Sequence, residues 1–137
     1  MGYPTYPFVD YPSNSFGNLN NSPQIILETT SNTLFINSII ITNTTDSDIR
    51  INIKNQINTG SPIEQFLIYN FPIPSYRTVD FSKNYFNTMD LIQKLGLQLF
   101  LQYSSTLNEK LLCYSNGREQ YFDCKVTYTL FNEIPPT

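Results

Sequence analysis

Eleven Asp and Glu residues, two cysteines and no histidine make up the acid–base and metal-binding inventory of this 137-residue sequence. Without histidine the commonest general base near neutral pH is missing, and so is the commonest metal ligand. Neither a Ser-His-Asp nor a Cys-His arrangement can be assembled. Two cysteines alone cannot close a four-ligand zinc site. No glycine-rich phosphate loop and no nucleophile elbow occurs. The carboxylates are spread thinly, and no two stand out as the acid and base of a glycosidase-like pair. Asp46 and Asp48, with Asn43 nearby, offer oxygens of the kind calcium takes. The same residue types are ordinary turn formers, and a turn is the preferred reading. The chain is therefore expected to be no enzyme, with no catalytic residue, metal or cofactor.

Cys113 and Cys124 flank Asn116-Gly117. That dipeptide suits a two-residue type I′ hairpin turn, which needs positive φ at both positions. Such a turn sets Cys113 opposite Gln120 and Cys124 opposite Glu109, too far apart to bond. Only a longer loop centred on 118–119 brings them together. Two reduced, buried thiols are expected. The Asn-x-Ser/Thr sequons at Asn20 and Asn43 arise easily in a chain this rich in Asn and carry no weight.

Charged residues are only 14% of the chain, against roughly 25% in typical soluble domains. The polar surface must come largely from Asn, Thr, Ser, Gln and Tyr, which suits a molecule that lies against neighbours. The net charge is −3 and the eight Lys and Arg residues are scattered, so the basic patch that phosphates require is missing. No nucleic-acid partner is expected. No run of 18 apolar residues is present, and the N-terminus shows no signal-peptide pattern, so no membrane partner is expected either.

The elements that must position these residues are strands. Residues 24–30 (QIILETT) form a first strand. Residues 33–44 (TLFINSIIITNT) form a long one, with Ile36 and Ile40 on one face and Ile39 and Ile41 on the other. Residues 49–57 alternate, with Ile49, Ile51, Ile53 and Ile57 inward and Arg50, Asn52, Lys54 and Gln56 outward. A turn over 59–62 leads to a strand at 63–71, stopped by Pro72 and Pro74, and a shorter strand follows at 76–82. Residues 84–94 could turn helically. Residues 96–104 alternate again, with Leu97, Leu99, Leu101 and Tyr103 on one face, and a hairpin over 108–131 closes the sheet. The fold expected is all-β, an antiparallel β-sandwich of jelly-roll or Ig-like type, with an extended N-terminal arm.

That arm covers residues 1–22. Tyr3, Tyr6, Phe8, Tyr11 and Phe16 alternate there with Pro4, Pro7, Pro12 and Gly17. Proline fixes φ and removes donors, which favours an extended, polyproline-like segment over a central strand. Five aromatics make the arm too adhesive for a free solvated tail: it lies back on its own domain or docks on an adjacent subunit, and the second reading, with the five aromatics as partner contacts, is preferred. The sandwich domain spans 23–134, and 135–137 is a tail.

Three segments carry a resemblance: SIIITNTTDSDIRINIKN, EQFLIYNFPIPSYRTVDF and LGLQLFLQYSS. An apolar strand ends in a small-polar "TN" step, an alternating strand follows, and the next is broken by a Pro-x-Pro step. The matching pieces are Ile39–Thr45, Ile49–Ile53, Leu67–Val79 and Leu97–Ser105. The chain here resembles small β-sandwich virion proteins of tailed bacteriophages, which decorate capsids or join necks and tails. The resemblance covers about 38–105; the 108–131 segment and the arm are additions to that pattern. It implies a structural virion protein, assembled in the host cytoplasm, whose partners are other virion proteins and copies of itself in a homo-oligomer. The alternative is a carbohydrate- or receptor-binding sandwich, since Tyr and Asn suit adaptable contact surfaces.

Overall fold

The computed structural model describes residues 12–82 and 100–131. Nine strands run in order: β1 (Ser13–Leu19), β2 (Gln24–Glu28), β3 (Thr33–Asn43), β4 (Ile49–Asn58), β5 (Pro62–Ile73), β6 (Thr78–Ser82), β7 (Phe100–Leu101), β8 (Asn108–Ser115) and β9 (Phe122–Phe131). They make two antiparallel sheets. The first has the order β1-β9-β3-β6, with β7 also paired to β3. The second has the order β2-β8-β4-β5. Most consecutive strands pass from one sheet to the other, β4–β5 and β6–β7 being the exceptions, and the strand orders are those of two nested Greek keys, the jelly roll. The all-β sandwich expected from the residue pattern is the fold observed, in its jelly-roll form.

Between the sheets lies one apolar layer. Ile39 and Ile41 of β3, Ile49, Ile51 and Ile53 of β4, Ile68 and Ile73 of β5, Phe81, Leu111, Phe122 and Val126 are all buried there. Burying each such side chain stabilises the fold by about 1.5–3 kcal/mol before ordering costs. The alternation in β4 runs as expected through Ile53. Asn55 then takes the next inward position, and Ile57 is only half-buried near the strand end.

Several sequence expectations are corrected. The register of β3 against β9 shifts between Ile36 and Ser38. This bulge at Asn37 puts Ile36, Ile39 and Ile41 all on the buried face and leaves Ile40 half-buried on the outer one. Strict alternation misassigned the pair Ile36/Ile40 because one extra residue reverses the parity of everything after it. Pro72 does not stop β5, which runs on to Ile73 with Pro72 opposite Arg50. β5 is a sheet edge, where a residue lacking an N–H need not break the ladder. Leu101 is buried, but β7 ends there, and Tyr103 is exposed instead of sharing its face.

The largest corrections concern 1–22 and 108–131. Ser13–Leu19, expected within the extended polyproline-like arm, is the edge strand β1 and pairs with β9, Phe16 opposite Cys124. The Asn14 side chain donates to the Ile26 carbonyl at 3.1 Å and so ties β1 to β2 of the facing sheet. β8 and β9 are not a hairpin, because they belong to different sheets. Neither Asn116 nor Gly117 has positive φ, as a type I′ turn would need. Residues 116–121 instead cross from one sheet to the other. Ser115 Oγ donates to the Gly117 and Gln120 carbonyls at 3.1 and 2.8 Å, and the Arg50 N–H donates to Gln120 Oε1 at 3.1 Å. The helical reading of 84–94, the positions Leu97 and Leu99, and the tail 135–137 lie outside the described residues, as do Tyr3, Tyr6, Phe8 and Tyr11.

The bulge can be tested by paired truncations. Ile39→Ala should destabilise the protein by about 3 kcal/mol, whereas Ile40→Ala should cost under about 1 kcal/mol. Urea unfolding of the two variants reads the difference; equal losses would contradict the assigned register.

Candidate functional site

Asn43, a candidate calcium ligand by sequence, is fully buried at the end of β3. Its amide group donates to the carbonyls of Ser47 (2.7 Å), Ile73 (3.0 Å) and Pro74 (3.1 Å). Its Oδ1 accepts from the Thr45 N–H at 2.8 Å and from Thr45 Oγ1 at 2.7 Å. The side chain is thus occupied in latching the 44–48 turn to the end of β5. Asp48 accepts from the Ser75 N–H at 3.2 Å, and Asp46 is exposed. These three residues do not converge on an ion site, and no group of three or more His, Cys, Asp or Glu among the described residues does. The latch brings the "TN" and Pro-x-Pro segments together: Asn43 of the first bonds the main-chain carbonyls of Ile73 and Pro74 of the second.

Glu109 is the described carboxylate that is buried, on the inward face of β8. Its Oε1 accepts from Asn55 Nδ2 at 3.0 Å and its Oε2 from the Gln102 N–H. Thr29 Oγ1 accepts from the Glu109 N–H at 2.9 Å and donates to the Gln102 carbonyl at 3.2 Å. This group clamps β2, β4 and β8 to the chain leaving β7. Both carboxylate oxygens accept hydrogen bonds from neighbouring strands and their connections.

Cys113 and Cys124 are free and buried. They sit on opposite sheets, Cys113 in β8 and Cys124 in β9, and both belong to the shared apolar core. The hairpin register that would have separated them is absent, since 116–121 crosses the sandwich. Burial pushes the Cys113 thiol well above its ordinary value, and its contact with Cys124 adds to the rise.

The outer faces of the two sheets differ. The first sheet presents mostly small polar groups, including Thr42 and Thr78, whose hydroxyls lie 2.8 Å apart. Ser15, Gly17, Ile40, Asp123 and Lys125 line a shallow groove there. The second sheet presents an apolar row across all four of its strands. Ile25 of β2 is opposite Leu112 of β8, Leu112 is opposite Lys54 of β4, and Lys54 is opposite Phe66 of β5. Lys54 Nζ is 5.1 Å from the Phe66 ring centre and 5.6 Å from that of Tyr114. It also pairs with Glu64 at 3.1 Å, and that hydrogen bond is the main cause of its raised ammonium pKa. Phe66 meets Tyr69 edge-on at 4.8 Å between ring centres. Tyr69 is 63% exposed.

Beside the row lies an amide cluster. Asn52 Nδ2 donates to Asn116 Oδ1, Asn116 Nδ2 donates to Asn70 Oδ1, and the Asn70 N–H donates to Asn52 Oδ1 at 2.9 Å. Asn70 has φ 55° and lies where the register of β5 against β4 shifts, next to the displayed Tyr69. Asn tolerates this left-handed conformation better than most residues.

Of the five arm aromatics expected to contact a partner, only Phe16 is described. It is half-buried against its own domain's core, in β1. The row on the second sheet was missed by sequence reasoning. Its signal was the apolar residues of both parities in β2 (Ile25, Ile26, Leu27) and β8 (Leu111, Leu112).

No protein-family model matches the sequence, and no curated protein matches it. Among solved structures, the chain is similar to one in the structure of infectious bursal disease virus, Gx strain, with 8% identity and a TM-score of 0.38. The match covers 94% of this chain and 33% of that one, so the chain spans about a third of the viral protein's length.

Two outcomes are expected. Asn43→Asp, which points a carboxylate at three carbonyls, should destabilise the protein by about 3 kcal/mol or more in urea unfolding; a near-neutral change would refute the latch. The thiols should resist alkylation in the native protein at pH 8 and react fully in denaturant. The stability that comes from the protonated Cys113 is fully present below the ordinary thiol value of 9.0 and is lost as pH rises from there through the raised value. Rapid native alkylation would contradict the burial.

Proposed function

We propose that this chain is a non-enzymatic structural protein of a virion, which acts by packing against other virion proteins and copies of itself. The observation that carries this reading is the apolar row Ile25–Leu112–Lys54–Phe66 across the outer face of the second sheet. Contiguous apolar patches on an exposed face mark contact surfaces. Tyr69 beside the row and Tyr76, which is 68% exposed at φ 54°, add aromatic contact area. The buried polar groups of Asn43 and Glu109 serve to hold strands and turns, which suits a building block.

Within that reading the particle is that of a tailed phage, where the chain occupies a capsid, neck or tail position. Support for this finer statement comes from the resemblance carried by the "TN" and Pro-x-Pro segments, which meet at Asn43. Neither nucleic acid nor membrane is among the proposed partners. A homo-oligomer is the proposed assembled state. The carbohydrate-binding alternative draws on Tyr69, which is exposed and adjacent in sequence to Asn70 of the amide cluster.

Particles of the virus that encodes the chain should label with an antibody raised against it, and should contain it in fixed copy number. Its absence from purified particles would overturn the proposal. Binding of the isolated chain to a glycan array, without binding to particles, would favour the alternative.

A further inference from the structure

We propose that residues 1–11 of a neighbouring copy dock across the row Ile25–Leu112–Lys54–Phe66. The inference rests on the assembly reading above and names the partner of that face. The row crosses all four strands of the second sheet. Ile25 is 42% exposed, and Leu112 and Phe66 are half-buried, Phe66 between Lys54 and Tyr69. Lys54 adds little free charge, since its ammonium is paired with Glu64 and faces two rings. The surface is therefore apolar, aromatic and close to neutral.

Residues 1–11 have matching chemistry. Tyr3, Tyr6, Phe8, Val9 and Tyr11 are interleaved with Pro4 and Pro7, and Asp10 is the single charged side chain. The two prolines lack N–H groups, so this segment is a poor candidate to extend a sheet edge by a regular ladder. Docking by side chains on a face avoids that difficulty. The segment joins the domain at Pro12, whose carbonyl accepts from the Tyr128 N–H at 3.1 Å. Eleven residues in an extended or polyproline form reach about 35 Å. The face of a four-stranded sheet is only about 15 Å wide, so the segment is long enough to leave its own domain and still span the row. No glycine lies between Tyr3 and Phe16, while prolines stand at 4, 7 and 12. Those prolines stiffen the segment and extend its reach toward a neighbouring copy.

Complementation in the full-length chain tests this. One variant, Phe66→Ser with Leu112→Ser, loses the row. Another, Tyr6→Ser with Phe8→Ser, loses the docking side chains. Size exclusion with light scattering should show wild type as an oligomer and each variant as a monomer, with wild-type circular dichroism. An equimolar mixture of the two variants should recover a complex, because one supplies the segment and the other the row. Ile25→Asp, on the exposed edge strand β2, gives a second row variant with the same expected loss should the double substitution unfold the domain. Oligomers of wild-type mass in either variant would overturn the inference while leaving the assembly reading intact. A mixture that stays monomeric would overturn docking between copies. Wild type that is monomeric at every concentration would overturn the assembly reading as well.

Discussion

Two sheets share a single apolar layer, and neither can exist without it. β3 and β9 of one sheet face β4 and β8 of the other through Ile39, Ile41, Val126, Ile51, Ile53 and Leu111, all fully buried. An isolated antiparallel sheet with one such face exposed would be unstable in water. The jelly-roll path strengthens the mutual dependence. Because successive strands pass from one sheet to the other, most connections tie the layers together. The Asn14 bond to the Ile26 carbonyl and the Glu109 clamp do the same at two margins of the layer.

This constraint explains where the polar side chains went. A chain with 14% charged residues has few ions for its surface and relies on amides and hydroxyls. Amides also work inside, because an Asn both donates and accepts. Asn43 satisfies three carbonyls and two donors at once, and Asn52, Asn70 and Asn116 bond one another over a β-bulge. Groups that looked like candidates for chemistry in the sequence are thereby occupied in structure.

The consequence for function lies in the difference between the two outer faces. One carries Thr, Ser and a few charges, with Phe16 and Ile40 in its shallow groove. The other carries a row of Ile25, Leu112 and Phe66 whose lysine is paired with Glu64 and faces two rings. A molecule whose two outer faces differ is suited to be laid against a neighbour in a set orientation. An exposed aromatic such as Tyr76, held at positive φ in a turn whose backbone bonds to Thr45, offers a rigid contact at little further entropic cost.

The sequence by itself determined the strand content and the inward rows of β4, because alternation of Ile with polar residues has one economical solution when a core is available. It also determined that histidine-based chemistry is impossible here. It misread β3 beyond Asn37, since a bulge is a property of paired backbones and leaves no compositional mark at Asn37. It placed Phe16 in an extended arm outside the sheets, because pairing of Ser13–Leu19 depends on β9, more than a hundred residues away. Asn116-Gly117 reads locally as a hairpin turn, yet β8 and β9 part into different sheets. Only the tertiary structure decided that, because each strand's neighbours are chosen by burial of the shared layer. The same choice brought Cys113 to Cys124 and assembled the outer row from four separate strands.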